Sequence, residues 1–196
     1  VLGFGTENIK DNKMEALADN GNGNYSYIDS RFEAKKVLSE ELGANFFTVA
    51  KDVKFQLEFN PKFIKGYRLI GYENRIMDDE DFKDDTKDGG EVGSGHRVTV
   101  LYEIVDTDSP MDIGSDLKYQ SSSVTDSNDL LNIAVRYKEP DSETSQELNY
   151  PVTTESIKTE MSDNMKFASA IAETGMLLRD SEYKGSSSYE SALSLL

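Results

Sequence analysis

Cysteine is absent from the 196 residues of this chain, and histidine occurs once. Without a thiol, the chain forms no disulfide, has no thiolate nucleophile and offers no cysteine ligand to zinc. Cysteine-free chains occur in several compartments, so this absence leaves the location open. No apolar run approaches the length of about 18 residues that a membrane-spanning helix needs, so we expect no insertion into a membrane.

Basic residues are a minority. The sequence has 21 Lys and Arg against 37 Asp and Glu, which gives a formal net charge of −16 and a pI near 4.4. Such a charge repels phosphate backbones and anionic lipid headgroups, so we expect no binding to nucleic acid or to a membrane surface. The hydrophobic fraction of 37%, with 10 Tyr and 9 Phe, is enough for a folded core.

The first 43 residues alternate short apolar runs with helical patterns. Residues 1–5 are typical of a buried parallel strand, residues 11–18 of a short helix and residues 25–28 of a second strand. Ser30, with Glu33 three residues later, predicts the start of a second helix, and Gly43 its end. The order strand, helix, strand, helix is typical of a parallel sheet covered by helices. Because the chain opens inside a strand pattern, we expect it to be part of a longer protein.

After Gly43 the apolar residues recur at every second position. Val53, Phe55, Leu57 and Phe59 alternate with polar residues and predict a half-buried strand. Asn60-Pro61 predicts a turn, and residues 67–72 a second strand that forms a hairpin with the first. Strands without intervening helices favour an antiparallel sandwich. The further predicted strands are residues 98–104, 131–137 and 147–153, the last an edge strand because it contains Pro151.

Two connections exceed the usual loop length. Residues 78–91, here called the acidic segment, hold eight acids, two lysines and two glycines. Residues 106–129 are rich in Ser and Asp and contain one base, Lys118. Connections of this length are either functional or mobile.

The end of the sequence has a helical period. Ser162 or Asp163 predicts the cap of a helix that continues to Leu178. Its apolar residues cover more than one face, so we expect burial on two sides. Lys184-Gly185 breaks the pattern, and Ser188 predicts the cap of a last short helix.

Candidate reactive groups are sparse. His96 follows Gly93-Ser94-Gly95 at a predicted strand entry and has no local nucleophile or second ligand, so a structural role is favoured. Asp84, Thr86 and Asp88 followed by Gly89 resemble a calcium loop, but Thr86 replaces a stronger ligand and no closing glutamate follows. A solvated run of charges is the favoured interpretation. We therefore predict no catalytic, cofactor-binding or metal-binding residue in this chain, and no enzyme activity.

Ten segments together resemble the end of bacterial von Willebrand factor type A (VWA) domains and the uncharacterised domain that follows in one subgroup, often labelled calcium-activated chloride channel homologues. The Tyr67–Arg75 block, with sequence YRLIGYENR, is the most specific, and residues 106–129 lie outside the resemblance. The segments are residues 2–5 (LGFG), 11–18 (DNKMEALA), 21–30 (GNGNYSYIDS), 50–54 (AKDVK), 58–61 (EFNP), 67–75, 93–96 (GSGH), 101–104 (LYEI), 167–179 and 181–185 (SEYKG).

The resemblance implies a metal-ion-dependent adhesion site, in which Mg²⁺ or Ca²⁺ accepts a carboxylate from a partner protein. Its Asp-x-Ser-x-Ser ligands would lie upstream of Val1, so no metal residue is assigned here. Gly5, Thr6 and Glu7 would rim that site at most. The resemblance also favours a periplasmic or cell-envelope location.

The expected fold is therefore α+β, an antiparallel β-sandwich with C-terminal helices, preceded by a βαβα remnant of a doubly wound VWA domain. The predicted domains are residues 1–43, 44–160 and 161–196. Residues 1–43 are too few to bury a core alone, so we expect them to be poorly packed or to dock on the β domain through Phe32, Val37 and Leu38.

Three functions remain open. The favoured one is a monomeric, non-catalytic protein-interaction or scaffold module, whose β domain restrains the last VWA helix at residues 30–42. The second is a carbohydrate-binding or cell-surface adhesion sandwich, which a coplanar pair of exposed tyrosines would favour. A hydrolase is third, because no nucleophile–base pair stands out.

Overall fold

A computed structural model describes residues 1–5, 9–21, 23–72, 75–113 and 126–196. These residues form two compact units. The candidate rim residues Thr6 and Glu7, and much of the 106–129 connection, lie outside the described residues. The first unit comprises Val1–Leu57, Met77–Val98 and Ile133–Tyr150, and the second comprises Glu58–Ile76, Thr99–Asn132 and Pro151–Leu196.

The N-terminal part of the first unit has the predicted order of elements. Strand β1 (Leu2–Phe4) pairs in parallel with β2 (Ser26–Ile28), and helix α1 (Asp11–Asp19) connects them. Helix α2 (Arg31–Lys35) follows β2. The parallel pairing predicted from the short apolar runs is confirmed, but the expected burial of the first strand was wrong, because its two large apolar residues, Leu2 and Phe4, are exposed.

The helix that follows Ser30 begins as predicted but continues differently. The Ser30 hydroxyl accepts the Glu33 N–H at 3.2 Å, which confirms the N-cap. Helix α2 passes into a π-helical turn at Lys36–Glu40 and then into α3 (Leu42–Phe46), so the prediction that Gly43 ends the helix was wrong. The reason is that Gly43 lies inside α3, and its C=O accepts the N–H of Phe47 at 3.0 Å.

The packing predicted for this helix is found at one of three positions. Val37 is buried, whereas Phe32 is 88% exposed and Leu38 is about half exposed. Phe32 and Leu38 therefore do not make the docking contact predicted for them. A five-residue α2 followed by a wider π turn places successive apolar residues on different sides of the helix, so they do not share one packed face.

The strands of the described residues form three sheets. Apart from the parallel β1–β2 pair, one sheet has the order β5-β3-β7-β8 and a two-stranded sheet pairs β4 with β6. The β3–β5 and β4–β6 pairs are antiparallel. The predicted β3–β4 hairpin was wrong, because the chain leaves the four-stranded sheet after Pro61 and β4 pairs with β6. The bounds are β3 Thr48–Phe59, β4 Ile64–Ile70, β5 Gly90–Gly93, β6 Leu101–Asp106, β7 Asp129–Lys138 and β8 Ser145–Thr153.

Strand β8 lies at the edge of its sheet, as Pro151 predicted. The alternation predicted for β3 was wrong in its middle, where Phe55 is 53% exposed and Lys54 is 5% exposed. The cause lies just before them. Asp52 has a left-handed backbone (φ 53°), and the pairing of β3 with β5 shifts register between Ala50 and Val53. Such a β-bulge exchanges the two faces of a strand.

Two helices end the chain in the second unit. Helix α4 (Asp163–Leu178) begins at the predicted cap Ser162, and α5 (Tyr189–Ser194) at the predicted cap Ser188. Ala170 of α4 and Ala192 of α5 are buried, and the two helices contact each other. The prediction that α4 is buried on two sides was wrong, because Phe167 and Ile171 are more than half exposed.

The architecture is therefore a mixed α/β one, with antiparallel sheets and C-terminal helices. Among the described residues, no helix combines the length and the apolar character needed to cross a bilayer. The predicted boundaries at residues 43 and 160 stay predictions.

Candidate functional site: a lysine and carboxylate cluster in the first unit

The acidic segment is the candidate site, and it is folded onto the first unit. Asp79–Lys83 form a short 3-10 helix, and the segment ends in β5. The single phenylalanine of the segment, Phe82, is 3% exposed. Most of its charged side chains are exposed, as expected of a solvated run of charges, but the segment is also attached to the fold. One buried aromatic ring and several basic side chains hold the segment in place.

The first of these basic side chains is Lys54 of β3. Its Nζ donates to the C=O of Asp84 at 2.6 Å and to that of Asp81 at 3.2 Å. These carbonyls lie at the C-terminal end of the 3-10 helix, where a cation is favoured. An ammonium group that is removed from water needs such acceptors, so Lys54 fixes the segment through its main chain.

Lys138 of β7 has a similar role further along the segment. It is 6% exposed, and its Nζ donates to Asp52 Oδ2 at 2.7 Å and to the C=O of Asp85 at 3.1 Å. The hydrogen bond to Asp52 is the main reason why the pKa of Lys138 is raised. Two lysine ammonium groups thus bind three main-chain carbonyls of the acidic segment.

Arg136, two residues before Lys138 on β7, binds the side chains of the segment. Its guanidinium contacts Asp85 Oδ1 at 2.7 Å and Glu147 Oε2 at 3.4 Å. The Ser145 hydroxyl donates to the same Asp85 oxygen at 2.6 Å. These two hydrogen bonds, from Ser145 first and Arg136 second, lower the pKa of Asp85.

A carboxyl pair completes the cluster. Asp52 Oδ1 accepts the N–H of Gly89 at 3.3 Å, and Asp88 directly precedes this glycine. Burial and the contact with Asp52 raise the pKa of Asp88. Burial and the charges of Asp52 and Asp88 also raise the pKa of Glu91.

The residues that resembled a calcium loop are brought to different partners. Asp84 Oδ1 accepts the N–H of Thr86 at 2.9 Å and its hydroxyl at 2.7 Å, while Asp88 precedes Gly89, whose N–H donates to Asp52 Oδ1 at 3.3 Å. Within the described part of the chain, no group of three or more His, Asp or Glu side chains is arranged to hold a metal ion.

The single histidine lies apart from this cluster. The His96 N–H donates to the C=O of Gly93 at 3.0 Å in the turn after β5, and the residue is exposed. Its structural role stays a prediction.

A carbohydrate-binding sandwich would be favoured by a coplanar pair of exposed tyrosines. The aromatic cluster of the second unit, formed by Phe59, Tyr67 and Tyr102, does not have this arrangement. The rings of Phe59 and Tyr67 stack on each other with centroids 4.2 Å apart and an interplanar angle of 24°. Tyr102 is tilted by 58° relative to Tyr67 at 6.5 Å. A sugar ring needs a free, shared aromatic plane, which these three rings do not form.

The family of the chain follows from a comparison with known proteins. A family model described as the C-terminal part of the uncharacterized protein YfbK matches residues 44–196. The chain belongs to this family. The uncharacterized YfbK protein of Escherichia coli is 38% identical over 194 residues, which are 97% of this chain and 33% of that protein. The chain thus spans about a third of this relative. No solved structure matches the chain.

Sequence reasoning missed Lys54, Arg136 and Lys138 as site residues. One signal was present, because Arg136 and Lys138 are two residues apart and therefore share a face of β7. Two bases on one strand face in so acidic a chain indicate an acidic partner within the fold. No comparable signal pointed to Lys54, because strict alternation along β3 predicts that its side chain lies in solvent.

The substitution Asp85→Asn is expected to lower the free energy of unfolding at pH 7. At low pH the substitution should have little effect. The pKa of Asp85 is lowered in the fold. Its carboxylate therefore stabilises the protein above the ordinary Asp pKa of about 3.9, and this contribution is lost as the pH falls through the lowered value. Urea unfolding at pH 7 and at low pH, followed by circular dichroism, measures both effects. Glu80→Gln, an exposed acid of the same segment, is the control, and equal effects of the two changes at pH 7 would contradict the prediction.

Proposed function

We propose that this chain is a non-catalytic protein-interaction module, in which residues 1–43 form the end of a VWA domain and an antiparallel sandwich with C-terminal helices follows. The exposed aromatic residues of the first unit carry the proposal. Large exposed apolar groups are typical of surfaces that bind other proteins. Five of the nine phenylalanines lie in this unit with more than half of their surface exposed, namely Phe4, Phe32, Phe46, Phe47 and Phe55.

The β1–β2 pair supports the VWA part of the proposal. Parallel sheets are normally covered on both faces, yet Leu2 and Phe4 of this two-stranded parallel sheet are exposed. Further strands and helices of a doubly wound domain would cover these residues. The divalent ion of such a domain would be bound by residues outside this chain and would accept a carboxylate from the partner protein.

The elements that follow would transmit a movement of the last VWA helix. Helix α2 continues through the π-helical turn and α3 directly into β3. Helix α3 is held against β5, where the N–H of Ser94 donates to the C=O of Phe47 at 2.8 Å. Because π turns occur frequently at functional sites, a shift of this helix would pass through α3 to the β3–β5 pair and to the acidic segment.

The test titrates this chain with the remaining two-thirds of the E. coli relative, produced as a separate polypeptide, with and without Mg²⁺. We expect a complex, and we expect Phe4→Ser and Phe32→Ser each to weaken it at least tenfold, because an exposed aromatic side chain that is buried on binding contributes strongly. Phe167→Ser is the matched control, since Phe167 is similarly exposed but lies in the second unit.

Absence of binding, or an equal loss of affinity in all three variants, would refute the proposal. The carbohydrate-binding alternative gains no support from the aromatic cluster of the second unit. No described feature favours a hydrolase over an interaction module.

A further inference from the structure

Strand β6 has a neighbour on one side only. Within the described ranges it pairs with β4 alone, in antiparallel register from the Ile64–Asp106 pair to the Ile70–Leu101 pair. The side of β6 that faces away from β4 is therefore the edge of this sheet. Main-chain N–H and C=O groups at such an edge can pair with an extended segment of another protein, which then adds a strand.

The hydrogen bonds around Asp106 indicate which main-chain groups face this edge. The N–H of Thr107 donates to the C=O of Phe63 at 3.0 Å, one position beyond the Ile64–Asp106 pair. In an antiparallel ladder such a bond flanks a pair whose own N–H and C=O groups point away from the partner strand. The C=O of Asp106 accordingly accepts the N–H of Ser109 at 3.1 Å, in the turn that follows β6.

Every second residue of β6 shares the direction of Asp106. The register shift near this end lies on β4, where Lys65 is the extra residue, so the alternation along β6 continues unbroken. Tyr102 and Ile104 therefore direct their N–H and C=O groups to the edge, whereas Val105 directs its groups to β4. The edge offers a partner strand both main-chain groups of Tyr102 and Ile104.

A groove of about 440 Å³ lies along this edge. It is lined by residues 103–106 of β6 and by Asp108, Ser109 and Met111 of the segment that follows. Side chains of consecutive strand residues point to opposite faces of a sheet. A cavity that touches four consecutive residues therefore lies at the edge of the strand. Its volume falls within the range of roughly 300–1,000 Å³ that is typical of binding clefts.

The wall of the groove opposite β6 is attached to β4. Lys65 Nζ donates to the C=O of Ser109 at 2.6 Å. Further along, a Cβ atom placed on Gly66 would lie 2.6 Å from Cδ1 of Ile113, so the Ile113 side chain is in close contact with this strand. The groove is therefore formed before a partner arrives, which reduces the loss of conformational freedom on binding.

The charge of the groove defines the chemistry of the partner. Glu103 has its own cation, because Arg68 Nε donates to Glu103 Oε2 at 3.1 Å. Asp106 Oδ1 accepts the N–H of Asp108 at 2.8 Å, and both aspartates are exposed. Ile104 beside them is apolar and 45% exposed. A segment that places Lys or Arg near the two aspartates and a β-branched residue near Ile104 is complementary to this surface.

We propose that the edge of β6 binds an extended, basic segment of another protein, which adds a strand to the β4–β6 sheet. The main chain of this segment pairs with Tyr102 and Ile104, and a Lys or Arg side chain contacts Asp106 and Asp108. A second copy of the chain is disfavoured, because its net charge of −16 would repel the acidic groove. The inference concerns the second unit and does not depend on what binds the exposed phenylalanines of the first.

The test selects binders for the intact chain from a library of random dodecapeptides and measures the affinity of the selected peptides by NMR titration of the isotope-labelled chain. We expect these peptides to alternate β-branched and basic residues. Their binding should shift the amide signals of Tyr102, Ile104 and Asp106, and added salt should weaken it because salt screens the opposite charges.

Two proline variants test the direction of the main-chain groups. Ile104→Pro removes an N–H that faces the partner but no hydrogen bond to β4, so the fold should be retained. Peptide binding should weaken about tenfold, because a main-chain hydrogen bond is lost and the ring obstructs the added strand. Val105→Pro is the matched change at the next residue, and it removes an N–H that faces β4. Its melting temperature should be the lower of the two, and equal melting temperatures would contradict the assigned directions.

Two charge variants leave the main chain of β6 unchanged. Asp108→Lys should weaken the binding of the selected peptides about tenfold, because it places like charges together. Glu160→Lys is the matched control at an exposed acid of the second unit outside the groove, and should bind as the wild type does. Three results would overturn the proposal: no selected peptide is released by Ile104→Pro, the two charge variants bind equally, or the chain self-associates through an edge that Ile104→Pro blocks.

Discussion

Gly93→Ala is expected to destabilise the first unit strongly. A Cβ atom at this buried position of β5 would lie 1.6 Å from the carbonyl oxygen of Ala44 and 2.4 Å from its carbonyl carbon. Both are backbone atoms of α3, so neither can rotate away as a side chain would. Relief requires a shift of α3 or of β5. Overpacking in cores costs about 1–3 kcal/mol and occasionally more, and we expect at least the upper end of this range.

The same substitution three residues earlier is the matched control. A Cβ atom at Gly90 would approach the carbonyl oxygen of Val53 at 3.8 Å, which is an ordinary contact. Both residues belong to β5, so the two variants share strand, residue type and change. Thermal unfolding followed by circular dichroism should show a melting temperature lower by at least about 6 °C for Gly93→Ala. Similar melting temperatures for the two variants would show that α3 is not held against β5 as described.

Features that depend on a few neighbouring residues could be predicted from the sequence. The caps at Ser30 and Ser188 were identified correctly, and Ser162 was one of the two candidates for α4, because a cap needs only a side-chain oxygen and a backbone N–H three residues later. The order of the first four elements was correct for a similar reason. Short apolar runs bounded by glycine and asparagine leave few alternatives to strands and turns.

Features that depend on distant residues were missed. Strand β4 was predicted to pair with β3 because the two strands are adjacent in the sequence. It pairs instead with β6, and the Ile70–Leu101 pair joins residues that are 31 positions apart. Strand β5 was not predicted at all. Its four residues, Gly90-Glu91-Val92-Gly93, have no alternating apolar pattern, and glycine is depleted in strands.

The candidate site was hidden by one backbone angle. Alternation along β3 predicts that Lys54 is in solvent and Phe55 in the core, and the left-handed Asp52 reverses both positions. A residue other than glycine rarely adopts this conformation, so no pattern in the sequence predicts a left-handed backbone at Asp52. Lys54 points towards the acidic segment and binds its main chain, so the segment is attached to the fold while most of its charged side chains stay exposed.

The three basic residues then explain how an acidic segment remains ordered in a chain of net charge −16. Lys54 and Lys138 bind main-chain carbonyls, and Arg136 binds the Asp85 side chain. Main-chain attachment fixes the path of the segment whatever the charge of its other side chains. Most acidic side chains of the segment therefore stay exposed while its main chain is held.

Phe82→Ala is expected to give the largest loss of stability among substitutions in the acidic segment. Phe82 is the only phenylalanine of the described chain that is almost fully buried. Removing a buried phenyl ring typically costs about 3–5 kcal/mol, because apolar contacts are lost and a cavity is left. The hydrogen bonds from Lys54 to the main-chain carbonyls of Asp81 and Asp84 flank this residue, so the loss of the ring should also free these carbonyls.

Phe55→Ala is the matched control, because the same ring is removed from the same unit at a position that is 53% exposed. We expect this change to cost less than about 1 kcal/mol. Urea unfolding at pH 7, followed by circular dichroism, compares the two, and Phe82→Leu should fall between them because it retains part of the apolar volume. If Phe82→Ala were no more destabilising than Phe55→Ala, the acidic segment would not be anchored by its aromatic ring, and the basic residues alone would have to hold it.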